Sequence, residues 1–171
     1  SHQSPLVAED RVRRAREACR GGPLPAAALA SFLAAAEARI AEDVAATPFG
    51  EAGLMLARPL PVERLPGFAA GLVSVQDPGA QRAALLLDPA TGSRVLDACA
   101  APGGKTAHLL ERADLDLLAL DLKPARCRRI SDNLGRLGLA ATVRVADCAR
   151  PDNWWDGRPF DAVLADVPCT A

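Results

Sequence analysis

Apolar and polar positions change rhythm twice along this chain of 171 residues. Val7 to Arg20 is charged with a helical pattern and closes on the breaker Gly21-Gly22-Pro23. Pro25 to Thr47 is alanine-rich, with Leu29, Phe32, Leu33, Ala36 and Ile40 at helical spacing. An irregular stretch then runs from Pro48 through Pro59, Pro61 and Pro66 to Gly71. From Leu72 onward, short apolar runs alternate with amphipathic ones. The pattern predicts strands at Leu72–Val75, Arg94–Asp97, Leu117–Asp121, Thr142–Ala146 and Asp161–Asp166. Helices are predicted at Pro78–Leu87, with Ala83, Ala84 and Leu87 inward, and at Thr106–Arg112 and Pro124–Leu137. Trp154 and Trp155 fall in a loop. Strands this apolar, separated by amphipathic helices, belong to a mostly parallel sheet covered on both faces. The expected architecture is a doubly wound α/β domain over residues 72–171. A small helical and irregular accessory segment, residues 1–71, precedes it.

Composition narrows the class. Half of the residues are hydrophobic and 24% are charged, enough for a packed core and too apolar for a disordered tail. No apolar run is long enough to span a bilayer, and Ser1 to Arg20 is too charged for a leader peptide. Ser1-His2 reads as the remnant of a tag. A net charge of −1 argues against an arm-type nucleic-acid binder but not against an enzyme that holds RNA in one groove. The five cysteines are an odd number without a CxxC pair, fitting neither a disulfide framework nor a zinc site. A cytoplasmic protein without a metal is expected.

Ligands of such sheets bind beyond the carboxyl ends of the strands. Here those ends carry Asp97, Asp121, Asp147 and Asp166 in succession. One such carboxylate is unremarkable as a helix cap; four favour a shared site. The first strand runs into Ala98-Cys99-Ala100-Ala101-Pro102-Gly103-Gly104-Lys105-Thr106, whose small residues admit a ligand close to backbone. It is not a phosphate loop, because Cys99 stands where that pattern needs glycine, and GxGxxG is absent. Asp121 follows at the interval expected of a ribose-binding acid. Four carboxylates would repel a polyphosphate, so a nucleoside bearing positive charge fits best. S-adenosylmethionine is such a molecule.

The run Asp97 to Thr106, followed by Asp166-Val167-Pro168-Cys169, resembles the RNA cytosine-5 methyltransferases of the RsmB/Nop2/Sun family. Leu65-Pro66-Gly67-Phe68 and Val75-Gln76-Asp77 resemble its branch acting on bacterial 16S ribosomal RNA. The likeness covers about Leu65 to Ala171. Val167, Thr170 and Ala80 depart from the alanine, serine and serine common at those places. The resemblance implies a Rossmann-like class I methyltransferase fold, S-adenosylmethionine as cofactor and RNA as partner, either 16S ribosomal or, alternatively, transfer RNA. Cys99, Ala100, Ala101, Pro102, Gly103, Gly104 and Lys105 would line the cofactor pocket, with Asp121 on the ribose and Asp147 near the adenine. Asp166 would stand between the methionine end and the target base, and Cys169 would assist release of the product.

Two cysteines suit this chemistry. Cytosine C5 is a poor nucleophile until a thiolate adds at C6, and a base must then remove the C5 proton before the thiolate leaves. The resemblance places the attacking thiolate in a Thr-Cys motif beyond Ala171. The chain is therefore expected to be a truncated piece, inactive alone or serving only as a binding module. His108 is expected to be a packing or surface residue, and Arg126, Arg128 and Arg129 a solvated helix face. Trp154 and Trp155 are candidates for stacking on bases or for packing.

Overall fold

A computed structural model describes residues 46–49, 53–65 and 67–167. The chain divides into two units, residues 1–74 and 75–171. In the first, β1 (Ala46–Phe49) pairs antiparallel with β2 (Gly53–Leu56), and a 3-10 turn follows at Val62–Arg64. Ala46 and Thr47 are thus strand residues at the end of the run for which helix was expected. Backbone pairing with β2 holds them, and helical spacing cannot reveal a pairing partner. The helix expected at Val7–Arg20 and the rest of the alanine-rich run lie outside the described residues. Pro66, Pro168, Cys169, Thr170 and Ala171 do as well.

The second unit runs α1 (Pro78–Leu87), β3 (Arg94–Asp97), α2 (Gly104–Arg112), β4 (Asp116–Asp121), α3 (Pro124–Leu137), β5 (Thr142–Val145) and β6 (Ala162–Leu164). Its strands form one parallel sheet in the order β5-β4-β3-β6, with Asp97 opposite Ala119 on one side and Leu164 on the other. The chain builds outward from β3 to β5 and then returns to the far side of β3. The direction of winding therefore reverses between β3 and β6, and a crevice opens at their carboxyl ends.

Local chemistry accounts for the helix ends. Asp77 accepts the Gly79 amide at 2.8 Å and Pro78 occupies the first turn of α1. Pro124 opens α3, and Gly138, at φ 67°, closes it in the left-handed region. Strand residues alternate between two clusters. Val95, Leu117 and Ala119 pack with Ala84, Leu109, Ile130 and Leu134 of the helices. Leu96, Leu118 and Leu120 pack on the other face with Ala98 and Trp154. Because both faces of β4 are covered, Leu117 to Leu120 within it are continuously apolar rather than alternating.

Leu72–Val75 is not a strand. The Leu72 amide donates to the Gly67 carbonyl at 2.9 Å in a turn, and Val75 is 62% exposed. An apolar run becomes a strand only where another backbone completes its ladder, and no described strand does so here. The expected strand Asp161–Asp166 is shortened to Ala162–Leu164, which frees Asp166 beyond the strand end. No helix among the described residues is long and apolar enough to cross a membrane.

Candidate cofactor site

The loop after β3 is stitched to both neighbouring strands. The Ala98 amide donates to Leu164 O and the Ala100 amide to Leu120 O, each at 2.9 Å. The turn then closes through the Gly103 amide on Ala100 O at 2.7 Å, past a cis Ala101–Pro102 peptide. Gly103 has φ +99°, and a Cβ there would lie 3.2 Å from the Ile130 Cα of α3. A side chain is excluded twice, by the backbone conformation and by the approach of the loop to α3. Gly104 starts α2 with open space beside it.

A cavity of about 210 Å³ opens at this switch point, lined by Cys99, Ala100, Ala101, Pro102, Gly104, Lys105, Asp97 and Asp166. Val75, Gln76, Asp77 and Ala80 complete its wall. Lys105 Nζ donates to Asp166 Oδ2 at 2.5 Å, bridging α2 to the end of β6. Asp97 is 1% exposed and accepts the Thr106 hydroxyl at 2.7 Å. Burial pushes its carboxyl up to about 6, opposed by that hydrogen bond, the Cys99 amide and the Lys105 charge. Burial, Cys148 and the carboxylates of Asp121 and Asp97 push the Cys99 thiol up as well. Cys99 therefore stays a protonated, small side chain at neutral pH, not a nucleophile.

Gly103, Asp121 and Asp147, expected among the pocket residues, do not line this cavity. Asp121 lies at the end of β4, 4% exposed, and accepts the Lys123 amide at 3.1 Å. Its other oxygen is 3.4 Å from the Arg126 guanidinium, which also donates to the Ala101 carbonyl at 3.1 Å. Arg126 thus departs from the solvated face expected of it and ties Asp121 to the loop. Asp147, after β5, folds back on its own turn by accepting the Ala149 amide at 3.0 Å. Trp154 Nε1 donates to the Asp147 carbonyl at 3.0 Å, so this tryptophan is a buried brace beneath the strand ends rather than a base-stacking surface. Trp155 is 46% exposed and donates to Arg158 O. His108 lies within α2 with its Nδ1 buried and unpaired, and burial followed by the Arg112 charge lowers its pKa. No group of three or more His, Cys, Asp or Glu among the described residues is placed to hold a metal ion.

Sequence reasoning missed the part played by Thr106 and Arg126, and took Val75-Gln76-Asp77 only as a mark of likeness. Arg126 stands five residues after Asp121, within the first turn of α3, and that placement was the available signal.

A parallel sheet that reverses its winding beside a small-residue loop, with carboxylates at the strand ends, defines a Rossmann-like α/β domain of the kind that S-adenosylmethionine-dependent methyltransferases carry. The model of the family described as 16S rRNA methyltransferase RsmB/F matches residues 84–171, and the chain belongs to that family. The ribosomal RNA small subunit methyltransferase B of Pseudomonas syringae pv. tomato is 51% identical over 131 residues, 75% of this chain and 29% of that protein. The crystal structure of a methyltransferase homolog from Pyrococcus horikoshii superposes with a TM-score of 0.68 at 29% identity, covering 81% of this chain and 47% of the other. NSun6 from the same organism, crystallised with the ligand SFG, gives 0.57 at 29% identity over 69% of this chain and 32% of its own. The chain spans under a third of the length of the methyltransferase B proteins it matches.

Proposed function

We propose that this chain is the cofactor-binding part of an enzyme that methylates cytosine C5 in 16S ribosomal RNA. The observation that carries the reading is the switch-point cavity, where the loop after β3 meets Asp166 after β6. Its polar set suits the amino-acid end of S-adenosylmethionine: Asp97 and Asp166 are acceptors for an ammonium, and Lys105 fixes Asp166 in place. The small residues Ala100, Ala101 and Gly104 leave the wall close to backbone. In this reading Asp121, which Arg126 and the Lys123 amide orient, is assigned to the ribose hydroxyls and Asp147 to the adenine. When bound, S-adenosylmethionine supplies a methyl group on a cationic sulfur.

The work of the chain is positional. Asp166 lies at the lip of the cavity, 58% exposed at its side chain, where an incoming base would meet the methionine end. Cys169, three residues further on, has the role of releasing enzyme from product; it lies outside the described residues. Residues 1–71 are an accessory segment in this reading. Calorimetry with S-adenosylhomocysteine on this chain tests the cofactor step, and absence of binding overturns it. Tritium release from C5-labelled 16S ribosomal RNA by the full gene product tests the reaction. Release from labelled transfer RNA instead would redirect the substrate.

A further inference from the structure

We propose that Gln76 is a positioning residue for the cofactor, its carboxamide N–H groups donating to the α-carboxylate of the methionine end. This rests on reading the cavity as the S-adenosylmethionine site. Three acids line that cavity, Asp77, Asp97 and Asp166, so an ammonium has acceptors in excess. For a carboxylate, side-chain donors are fewer than side-chain acceptors are for an ammonium. Among the lining side chains only Lys105 and Gln76 carry N–H donors, and Lys105 is engaged by Asp166. Gln76 Nε2 is buried and has no hydrogen-bond partner. A buried donor without an acceptor costs free energy that an arriving anion recovers, and a bond to a charged acceptor is the stronger kind.

The backbone under Gln76 is already set for this. Gln81 Nε2 donates to the Gln76 carbonyl at 3.3 Å, Asp77 caps α1, and Pro78 fixes the entry to the helix. The last torsion of a glutamine side chain has broad minima, so the amide turns toward a ligand at small cost. The size of the cavity agrees. At about 210 Å³ it is smaller than the roughly 300–1,000 Å³ of sites that hold a whole ligand, and it fits one end of the cofactor.

The test compares two ligands by calorimetry on the chain. S-adenosylhomocysteine carries the amino-acid end, whereas 5′-methylthioadenosine has the same nucleoside and sulfur without it. Gln76→Ala should weaken S-adenosylhomocysteine about ten- to hundredfold and leave methylthioadenosine unchanged. Gln76→Glu, similar in size, should weaken it further, because carboxylate then faces carboxylate. Unchanged affinity for S-adenosylhomocysteine in both variants overturns the assignment. Equal loss of both ligands also overturns it, since a merely structural role does not distinguish them. If the unaltered chain binds neither ligand, the cofactor reading itself fails, a result separable from failure at Gln76.

Discussion

The two ends of β3 solve opposite problems. At its amino end Arg94 is 14% exposed at the side chain and fully engaged: 3.3 Å from Asp116, 2.7 Å from Asp156, and donating to the Arg158 carbonyl at 2.6 Å. Its guanidinium also sits 4.5 Å over the Phe160 ring, and Asp161 accepts its backbone amide at 2.7 Å. At the carboxyl end, three residues along the strand, the Asp97 carboxylate is buried at the expense of its charge; around it Gly103 is held at positive φ and the Gln76 amide nitrogen is unpaired. One end closes the domain and the other holds polar groups in reserve. Local rules are broken at the end where the proposed ligand would complete the structure.

If that division holds, Arg94→Ala should lower stability by about 2–3 kcal/mol and leave S-adenosylhomocysteine affinity within twofold, as read by thermal melts and calorimetry. Most of the loss comes from the carbonyl and ring contacts, since exposed Asp116 and Asp156 contribute little to a screened pair. A large loss of affinity in the folded variant would show that the ends are coupled. Gly103→Ala should cost about 1–3 kcal/mol and also weaken binding, because the new Cβ pushes the loop off Ile130. A stable variant that binds normally would show that the loop yields and that its placement is not critical.

Much of this was legible in the sequence. α1, β3 and α3 match the expected limits residue for residue, because proline starts, a glycine stop and unbroken apolar runs are local signals. The small-residue loop after β3 was legible for the same reason. Leu72–Val75 and the β1–β2 hairpin were not, since a strand is defined by its partner and pairing is not written locally. Arg126 and Gln76 escaped for a related cause: Arg126 bonds to residues of other elements, Gln76 Nε2 is buried without a protein partner, and neither residue type is distinctive alone.

Asp121 sharpens the contrast from the other side. Asp121→Asn keeps the shape and the bond from the Lys123 amide while removing the charge. It should weaken S-adenosylhomocysteine about tenfold and change the melting temperature little, Arg126 being 42% exposed and able to find water. A fall in stability without a fall in affinity would make Asp121 a structural residue and remove it from the site.

The smallest effect expected is a pH dependence carried by Asp97. Its carboxyl titrates near 6 in the folded chain against 3.8 as the ordinary value, so the folded state holds the proton more tightly than the unfolded one. Its contribution to stability is complete below the unfolded value and is lost as pH rises through about 6, which makes the ionised form the strained one. Binding runs the other way. If the ammonium sits on Asp97, the buried one of the three acids, affinity for S-adenosylhomocysteine should be level above pH 7, fall about twofold at pH 6, and fall by at most roughly tenfold by pH 5, less where Asp77 or Asp166 shares the charge. Lys105 and Asp166 face the same carboxyl with opposing influences, Lys105 favouring ionisation and Asp166 resisting it. Lys105→Met should therefore move the midpoint of the affinity profile upward. A profile that stays flat from pH 5 to 8 would mean that the ammonium is held elsewhere, with Asp97 serving only to anchor the Thr106 hydroxyl.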